Sequence, residues 1–312
     1  MLRFFLAGAI IVLSGMQASA APELAILTGG TSGVYYPIGI AIGKIFEKEI
    51  PEQKFSVVST QATVENLNLL QQGRGILALG QGDILSQAWK GNAEAGFPSS
   101  RTKIRLIGAA FPNIIHVAAR QDSNINSIQD LRGKRISVGA ARSGNELNAR
   151  ALLSAADMSY ADILQVEYLE YGASIDLMIS GQLDAAIISA GIGVPAIMTL
   201  VSKIPTTIVP VPRSLVEKTN GLFYPTVIPA LTYARQTRDV PAAALANFFV
   251  TTADAADDLV YRMTKAIYGH LADLRAAHPA AVAMSVENAV ISHPIQMHPG
   301  AVRYFKEIHV LQ

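Results

Sequence analysis

Leu24-Ala25-Ile26-Leu27-Thr28-Gly29-Gly30-Thr31-Ser32-Gly33-Val34-Tyr35-Tyr36-Pro37 is the stretch from which the rest of the chain can be read. The short apolar run reads as a strand and the Gly/Thr/Ser cluster as a tight loop. Ile38, Ile42 and Ile45, with Lys44, Glu47 and Lys48 between them, recur at helical spacing. Pro37 suits the first turn of that helix, where a missing N–H costs little, so the loop lies at the helix N-terminus. Unpaired backbone N–H groups and the positive end of the helix dipole meet there, which makes the loop an anion cradle. Glycines let a ligand approach the backbone, while Thr31, Ser32, Tyr35 and Tyr36 offer hydroxyls and aromatic faces.

Downstream, Phe55, Val57 and Val58 mark a second strand, Val64, Leu67 and Leu70 a helix ending at Gly73, and Ile76 to Leu79 a third strand closing on Gly80-Gln81-Gly82-Asp83. This alternation predicts a parallel sheet covered by helices. Ligands of such sheets bind beyond the carboxyl ends of the strands, where Thr28 to Gly33, Ser59-Thr60 and Gln81 to Asp83 would converge. The pattern restarts with a strand over Arg135 to Gly139, the small-residue loop Ala140-Ala141-Arg142-Ser143-Gly144-Asn145 and a helix from Glu146 to Ala156. A helix, glycine and strand sequence over 67–79 is echoed over 175–189, the second copy ending in Ser189-Ala190-Gly191. Two similar α/β lobes facing each other are expected. The apolar runs Ile104 to Ala119 and Pro205 to Pro212 read as the strands that cross between them. Val240 to Tyr268 and Leu271 to Ala283 read as alanine-rich amphipathic helices, with a last helix from Ala301 to Ile308.

Composition narrows the chemistry. The 312 residues are 50% hydrophobic with a formal net charge of +1, and Lys and Arg are scattered singly, so no nucleic-acid track is expected. The absence of cysteine removes disulfides, thiolate metal sites and cysteine nucleophiles. His293 and His298 flank four residues and lie beside Pro294 and Pro299, so no helix can bring them together, and neither a metal nor another cofactor is expected. Gly29-Gly30-Thr31-Ser32-Gly33 fits neither a P-loop nor the dinucleotide fingerprint, and Ser143 is not in a G-x-S-x-G elbow. The chain therefore reads as a binder, not an enzyme. Arg142 sits unfavourably at a helix N-terminus unless it meets an anion, so it either holds a ligand carboxylate or is an ordinary solvated arginine. Gln81 and Asp83 either receive an ammonium or hydroxyl group or cap a turn. At the N-terminus, Arg3, the apolar run Phe4 to Leu13 and Ala18-Ser19-Ala20 read as a signal peptide cleaved after Ala20. Its apolar core is shorter than the roughly 20 residues of a membrane span, so the mature protein is expected free in the periplasm.

With these residues laid out, the chain resembles the TAXI family of solute-binding proteins, the extracytoplasmic receptors of a subset of TRAP transporters. The resemblance rests on Thr28 to Pro37, Val64-Glu65-Asn66-Leu67 with Leu69-Leu70, and Asp130-Leu131-Arg132-Gly133-Lys134-Arg135-Ile136-Ser137-Val138-Gly139. It continues through Ser143-Gly144, Gly181-Gln182-Leu183-Asp184-Ala185, Ile228-Pro229, His278-Pro279-Ala280 and His298-Pro299-Gly300-Ala301. The chain departs from the family's pattern at Ile76, at Gln81-Gly82-Asp83 and at Ala141 to Asn145.

The resemblance implies a type II periplasmic-binding-protein fold with two α/β lobes, a ligand cleft and two crossover strands. Residues 21–112 with 214–312 would form one lobe and 113–213 the other. It also implies capture of a small organic acid, a dicarboxylate such as 2-oxoglutarate or glutamate, and delivery to an ion-gradient-driven TRAP permease. The receptor is expected to be a monomer. A sensor presenting its closed form to a membrane kinase and an exported enzyme are the alternative classes. The expected site combines Thr31, Ser32, Gly33, Tyr35, Tyr36, Thr60, Gln81 and Asp83 of the first lobe with Arg142, Ser143, Gly144, Asn145, Ala190 and Gly191 of the second.

Overall fold

Strand β1 (Leu24–Leu27) leads through the glycine loop into α1 (Tyr35–Glu49), which buries Ile38, Ile42, Ile45 and Phe46. The computed structural model describes residues 23–290 and 294–312, so the expected signal peptide and His293 lie outside the described residues. β2 (Phe55–Val58), α2 (Thr63–Gln71) and β3 (Leu77–Gln81) follow, and β1 pairs in parallel with both β2 and β3. α3 (Gly82–Lys90) begins where β3 ends, so Gln81-Gly82-Asp83 is a strand end and the first turn of a helix. β4 (Ile104–Arg120), 17 residues long, then carries the chain across to the second lobe.

There the unit repeats as β5 (Arg135–Ser137), α4 (Gly144–Ala155), β6 (Gln165–Glu167), α5 (Tyr171–Ile179) and β7 (Ala185–Ala190). α6 (Pro195–Lys203), β8 (Thr206–Val209), α7 (Arg213–Glu217) and β9 (Tyr224–Ile228) complete that side. β10 (Val240–Thr252) returns to the first lobe, which closes with α8 (Asp257–Gly269), α9 (Leu271–Ala277) and α10 (Pro299–Glu307). His278 and His298 cap helical turns, each accepting from the backbone N–H two residues on, at 3.1 Å.

The strands run in the order β2-β1-β3-β10-β4-β7-β5-β6. Counted outward from the central antiparallel pair β10/β4, each lobe presents its third, first and second strand, so the echo seen in the sequence is a repeated topology. Gly73 and Gly181 occupy matching places just after α2 and α5, with φ of 72° and 78°, the left-handed ending that glycine allows.

The crossover strands differ in part from expectation. β4 matches the Ile104 to Ala119 reading, but β8 is a short strand paired with β4, and β10 makes the second crossing. Val240 to Thr252 was expected to be helical. It is buried on both faces, which erases the alternation of a half-exposed strand, and its alanines mimic a helix. Phe248-Phe249-Val250-Thr251-Thr252, aromatic and β-branched, is the signal that favours a strand. β10 pairs with β4 through register shifts at Ala246/Phe248 and Phe249/Val250. Leu215, Val216, Phe223, Ala243 and Leu245 share one core with Leu152 and Ile187 of the second lobe. On that packing we propose that the second lobe boundary lies inside β10, near the first register shift, rather than at 213/214.

Candidate functional site

The loops that follow β1, β2, β5 and β6 and the ends of β3 and β7 all open on one gap between the lobes, and together they enclose a cavity of about 50 Å³. The arrangement of helix ends is what distinguishes it. Val34, Ala62, Gln81, Ser143 and Glu170 are the residues that cap α1, α2, α3, α4 and α5, and all five line the cavity. Only α4 has a side-chain cap, Ser143 Oγ accepting from the Glu146 N–H at 3.2 Å; the other four starts have none. The positive ends of five helix dipoles therefore converge on one small space, although Ser32 Oγ takes the Gly172 N–H of α5 and the Asp83 carboxyl takes N–H groups of α3. Among the described residues, no Lys, Arg or His lines the cavity, and its one carboxylate is Glu170.

Burial holds the carboxyl of Glu170 above its ordinary range, with the charge of Glu65 adding to the effect. A Cβ on Gly30 would stand 2.9 Å from Glu170 Oε2, so glycine is what lets the second lobe's carboxylate approach the first lobe's loop. Ser32 Oγ accepts from the Gly172 N–H at 3.0 Å, and the Ser32 carbonyl accepts from the Ala196 N–H at 3.1 Å. Asn148 donates to Gln81 Oε1 at 3.2 Å. These bonds join the lobes in a closed arrangement. The enclosed space is far below the roughly 300–1,000 Å³ typical of drug-sized ligand sites, so the closed clamp suits only a few heavy atoms and anything larger holds the lobes further apart.

Of the residues expected from sequence, Gly33, Tyr35, Gln81, Ser143, Gly144, Asn145 and Ala190 line the cavity. Tyr35 is buried, its ring edge-on to Phe111 and its hydroxyl donating to Asn247 Oδ1 at 2.6 Å. Asn145 is fully committed to the protein: it donates to the carbonyls of Val138 (2.7 Å) and Ile187 (2.9 Å) and accepts from the N–H of Ser189. The hydroxyl of Tyr171 approaches the same Asn145 oxygen at 3.3 Å. Asn145 shapes the wall with no donor left for a ligand.

The other seven expected residues stand apart from the cavity lining. Thr31 is exposed, Ser32 is taken up in the contact between lobes, and Tyr36 lines a separate surface hollow with Pro37, Lys44 and His270. Thr60 donates to the Thr28 carbonyl and fixes the loop from behind. Gly191 is pressed against Phe111 and Ala280. Arg142 is the main correction. It occupies an exposed turn at φ 61°, ahead of the Ser143 cap, and its side chain is not part of the wall. Asp83 lies below the wall, in the first turn of α3. Burial pushes its carboxyl up to about 7, against the pull of the neighbouring N–H groups.

The Asp83 shift has a defined sign. A carboxyl raised from 3.8 in the unfolded chain to about 7 in the folded one binds more protons when folded, so stability falls as pH rises between these values. Asp83→Asn is expected to melt at least about 2–4 °C higher than the wild type at pH 8, the shift made by one kcal/mol in a chain of this size, with the difference closing by pH 4. Melting curves across that pH range check it; a variant less stable at pH 8 would show that the ionised carboxylate is held by compensating contacts.

Glu170, Tyr171, Thr63 and Ser189 were not anticipated. The repeat between lobes carried the signal: the loop after β6 stands to the second lobe as Ser59 to Ala62 stands to the first.

The sequence pattern of the NMT1-like family matches residues 26–308. The chain belongs to the NMT1-like family. The fold of this NMT1-like protein is similar to that of solved two-lobed periplasmic binding proteins. The periplasmic binding protein BugD matches with a TM-score of 0.59 at 11% identity, over 92% of this chain and 94% of that one. A binding-protein component of an ABC phosphonate transporter from Pseudomonas aeruginosa matches with a TM-score of 0.52 at 12% identity, over 85% and 80%. The alkanesulfonate-binding protein SsuA from Xanthomonas axonopodis pv. citri, bound to MOPS, matches with a TM-score of 0.50 at 18% identity, over 85% and 83%.

Proposed function

We propose that this NMT1-like protein is a periplasmic receptor that captures a small organic acid between its lobes and hands it to a membrane permease. The observation that carries this reading is the ring of five helix starts, four of whose capping residues make no side-chain cap, around a cavity that no basic side chain lines among the described residues. Such a ring suits one carboxylate held by backbone N–H groups. Glu170 on the opposite lobe suits an ammonium group, so an α-amino acid fits the wall better than 2-oxoglutarate, whose keto oxygen would stand where the ammonium meets Glu170. A thermal-shift screen of mono- and dicarboxylates and amino acids, followed by calorimetry, tests the reading, because a ligand specific for the folded state raises its melting point. A screen in which only amines or sugars stabilise the protein would refute it.

Arg142→Ala is expected to leave the affinity for the tightest acid of that screen within twofold. A tenfold loss by calorimetry would bring Arg142 back to the ligand.

The resemblance of the Thr28 to Pro37, Asp130 to Gly139 and His298 to Ala301 motifs to TAXI receptors favours a TRAP permease as the partner. The fold shared with a phosphonate-transporter component favours an ABC permease as the second reading. Uptake into vesicles carrying the partner permease separates them: dependence on an ion gradient supports the first, and dependence on internal ATP supports the second.

A further inference from the structure

Among the described residues, five buried side-chain polar atoms have no hydrogen-bond partner: Asp83 Oδ1, Asn113 Nδ2, Asn113 Oδ1, Asn148 Oδ1 and Asn247 Nδ2. Buried polar groups are ordinarily paired, so five such atoms on four residues call for a physical reason. The four residues converge on one place. Asn113 lies opposite Leu245 across the β4/β10 pair, and Asn247, two residues further along β10, lies opposite Gln81 of β3. Residues directly opposite share a face of a sheet, as do residues two apart on a regular strand. The register shift between Ala246 and Phe248 breaks that alternation along the β10/β4 pair, so Asn247 is placed by its partner Gln81 and not by Leu245. Asn113 also shares its face with Ile115, which lies opposite Ser189 of β7. Gln81 and Ser189 both line the cavity, and Asn148 donates to each of them, at 3.2 and 2.9 Å. Asn247 is bound to the cavity-lining hydroxyl of Tyr35. Asp83 follows Gln81 by two residues, in the first turn of α3. The unpaired atoms therefore lie beneath the floor of the cleft, where the two crossover strands pass between the lobes.

We propose that Asp83, Asn113, Asn148 and Asn247 form an inner subsite of the cleft that takes an uncharged ligand group able both to donate and to accept hydrogen bonds, a carboxamide or a hydroxyl. The proposal rests on the organic-acid reading above, in which the carboxylate occupies the ring of helix starts. Its content is the hydrogen-bond inventory: two unpaired N–H donor groups and three unpaired oxygen acceptors. A second carboxylate would meet Asp83 and the buried amide oxygens, and an ammonium would meet two amide N–H groups. A group with both faces satisfies both sets.

L-Glutamine, L-glutamate and L-norvaline share their α-carboxylate and α-ammonium and differ only in the tail, so they probe the subsite directly. By calorimetry on the full mature chain, L-glutamine should bind at least about tenfold more tightly than L-norvaline and more tightly than L-glutamate. Asn113→Ala should bring L-glutamine down to the norvaline level while leaving L-norvaline within twofold. Asn247→Ala makes the same comparison should Asn113→Ala not fold. Equal affinities for L-glutamine and L-norvaline, preference for L-glutamate, or discrimination that survives the substitutions would each overturn the subsite. Binding of L-norvaline alongside any of these leaves the outer carboxylate reading standing. Absence of binding by all three amino acids and by every acid of the wider screen overturns that reading and the subsite with it.

Discussion

Asn145→Ala is expected to destabilise the protein by about 3–5 kcal/mol, a loss seen in the midpoint of urea unfolding at unchanged slope. The magnitude follows from what the side chain ties together. Its amide donates to carbonyls at the ends of β5 and β7, and its oxygen accepts from Ser189. Truncation leaves three backbone groups buried without partners, and each such group costs about 1–3 kcal/mol. Gly139, at φ 94°, leaves room for Asn145, since a Cβ there would overlap its side chain. A loss below about 1 kcal/mol would mean that water enters and replaces these bonds.

Gly144→Val should abolish tight binding while leaving both lobes folded. Gly144 is buried in the first turn of α4 with ordinary helical geometry, so the substitution adds little backbone strain. A Cβ there would overlap the carboxamide of Gln81, which belongs to the other lobe. The added side chain acts as a wedge that keeps the cleft from shutting. Affinity for the best acid should fall at least about 100-fold, near 2.8 kcal/mol, with a larger radius of gyration in solution scattering. Adding Gln81→Ala makes space for the valine and should recover part of the loss, a coupling that a double-mutant cycle reads. Wild-type affinity in Gly144→Val would show that closure does not need this contact.

Much of this architecture is legible in residue order because local chemistry dictates it. Pro37, the glycine loop and the Ile38, Ile42, Ile45 stripe place α1 and its N-terminus without tertiary information. Gly73 and Gly181 expose the repeat because each ends its helix in a conformation other residues avoid. β10 is hidden for the opposite reason. Buried on both faces, it shows no alternation, and only packing against β3, β4 and β9 decides that Val240 to Thr252 is extended.

The site divides in the same way. Ser143, Gly144 and Gln81 stand at helix starts, which sequence can locate, whereas Glu170 reaches the wall only because the second lobe folds over the first. Arg142 shows the limit of reasoning from charge. One position ahead of the Ser143 cap, the chain turns through φ 61° at an exposed residue, so the proposed site rests on backbone where side-chain chemistry suggests a guanidinium.

The central place of β10 also fixes an order of assembly. β3 emerges early from synthesis, yet its antiparallel neighbour is β10, so Gly80 waits for Phe248, about 170 residues behind it. β4 with β7, and β5 with β6 and β7, pair within a much shorter stretch of chain. The inserted lobe can thus mature while the first half still exposes an unpaired edge, and closing so long a loop is the slow step. A polypeptide built this way stays incomplete, and easily unravelled, until nearly all of it has been made.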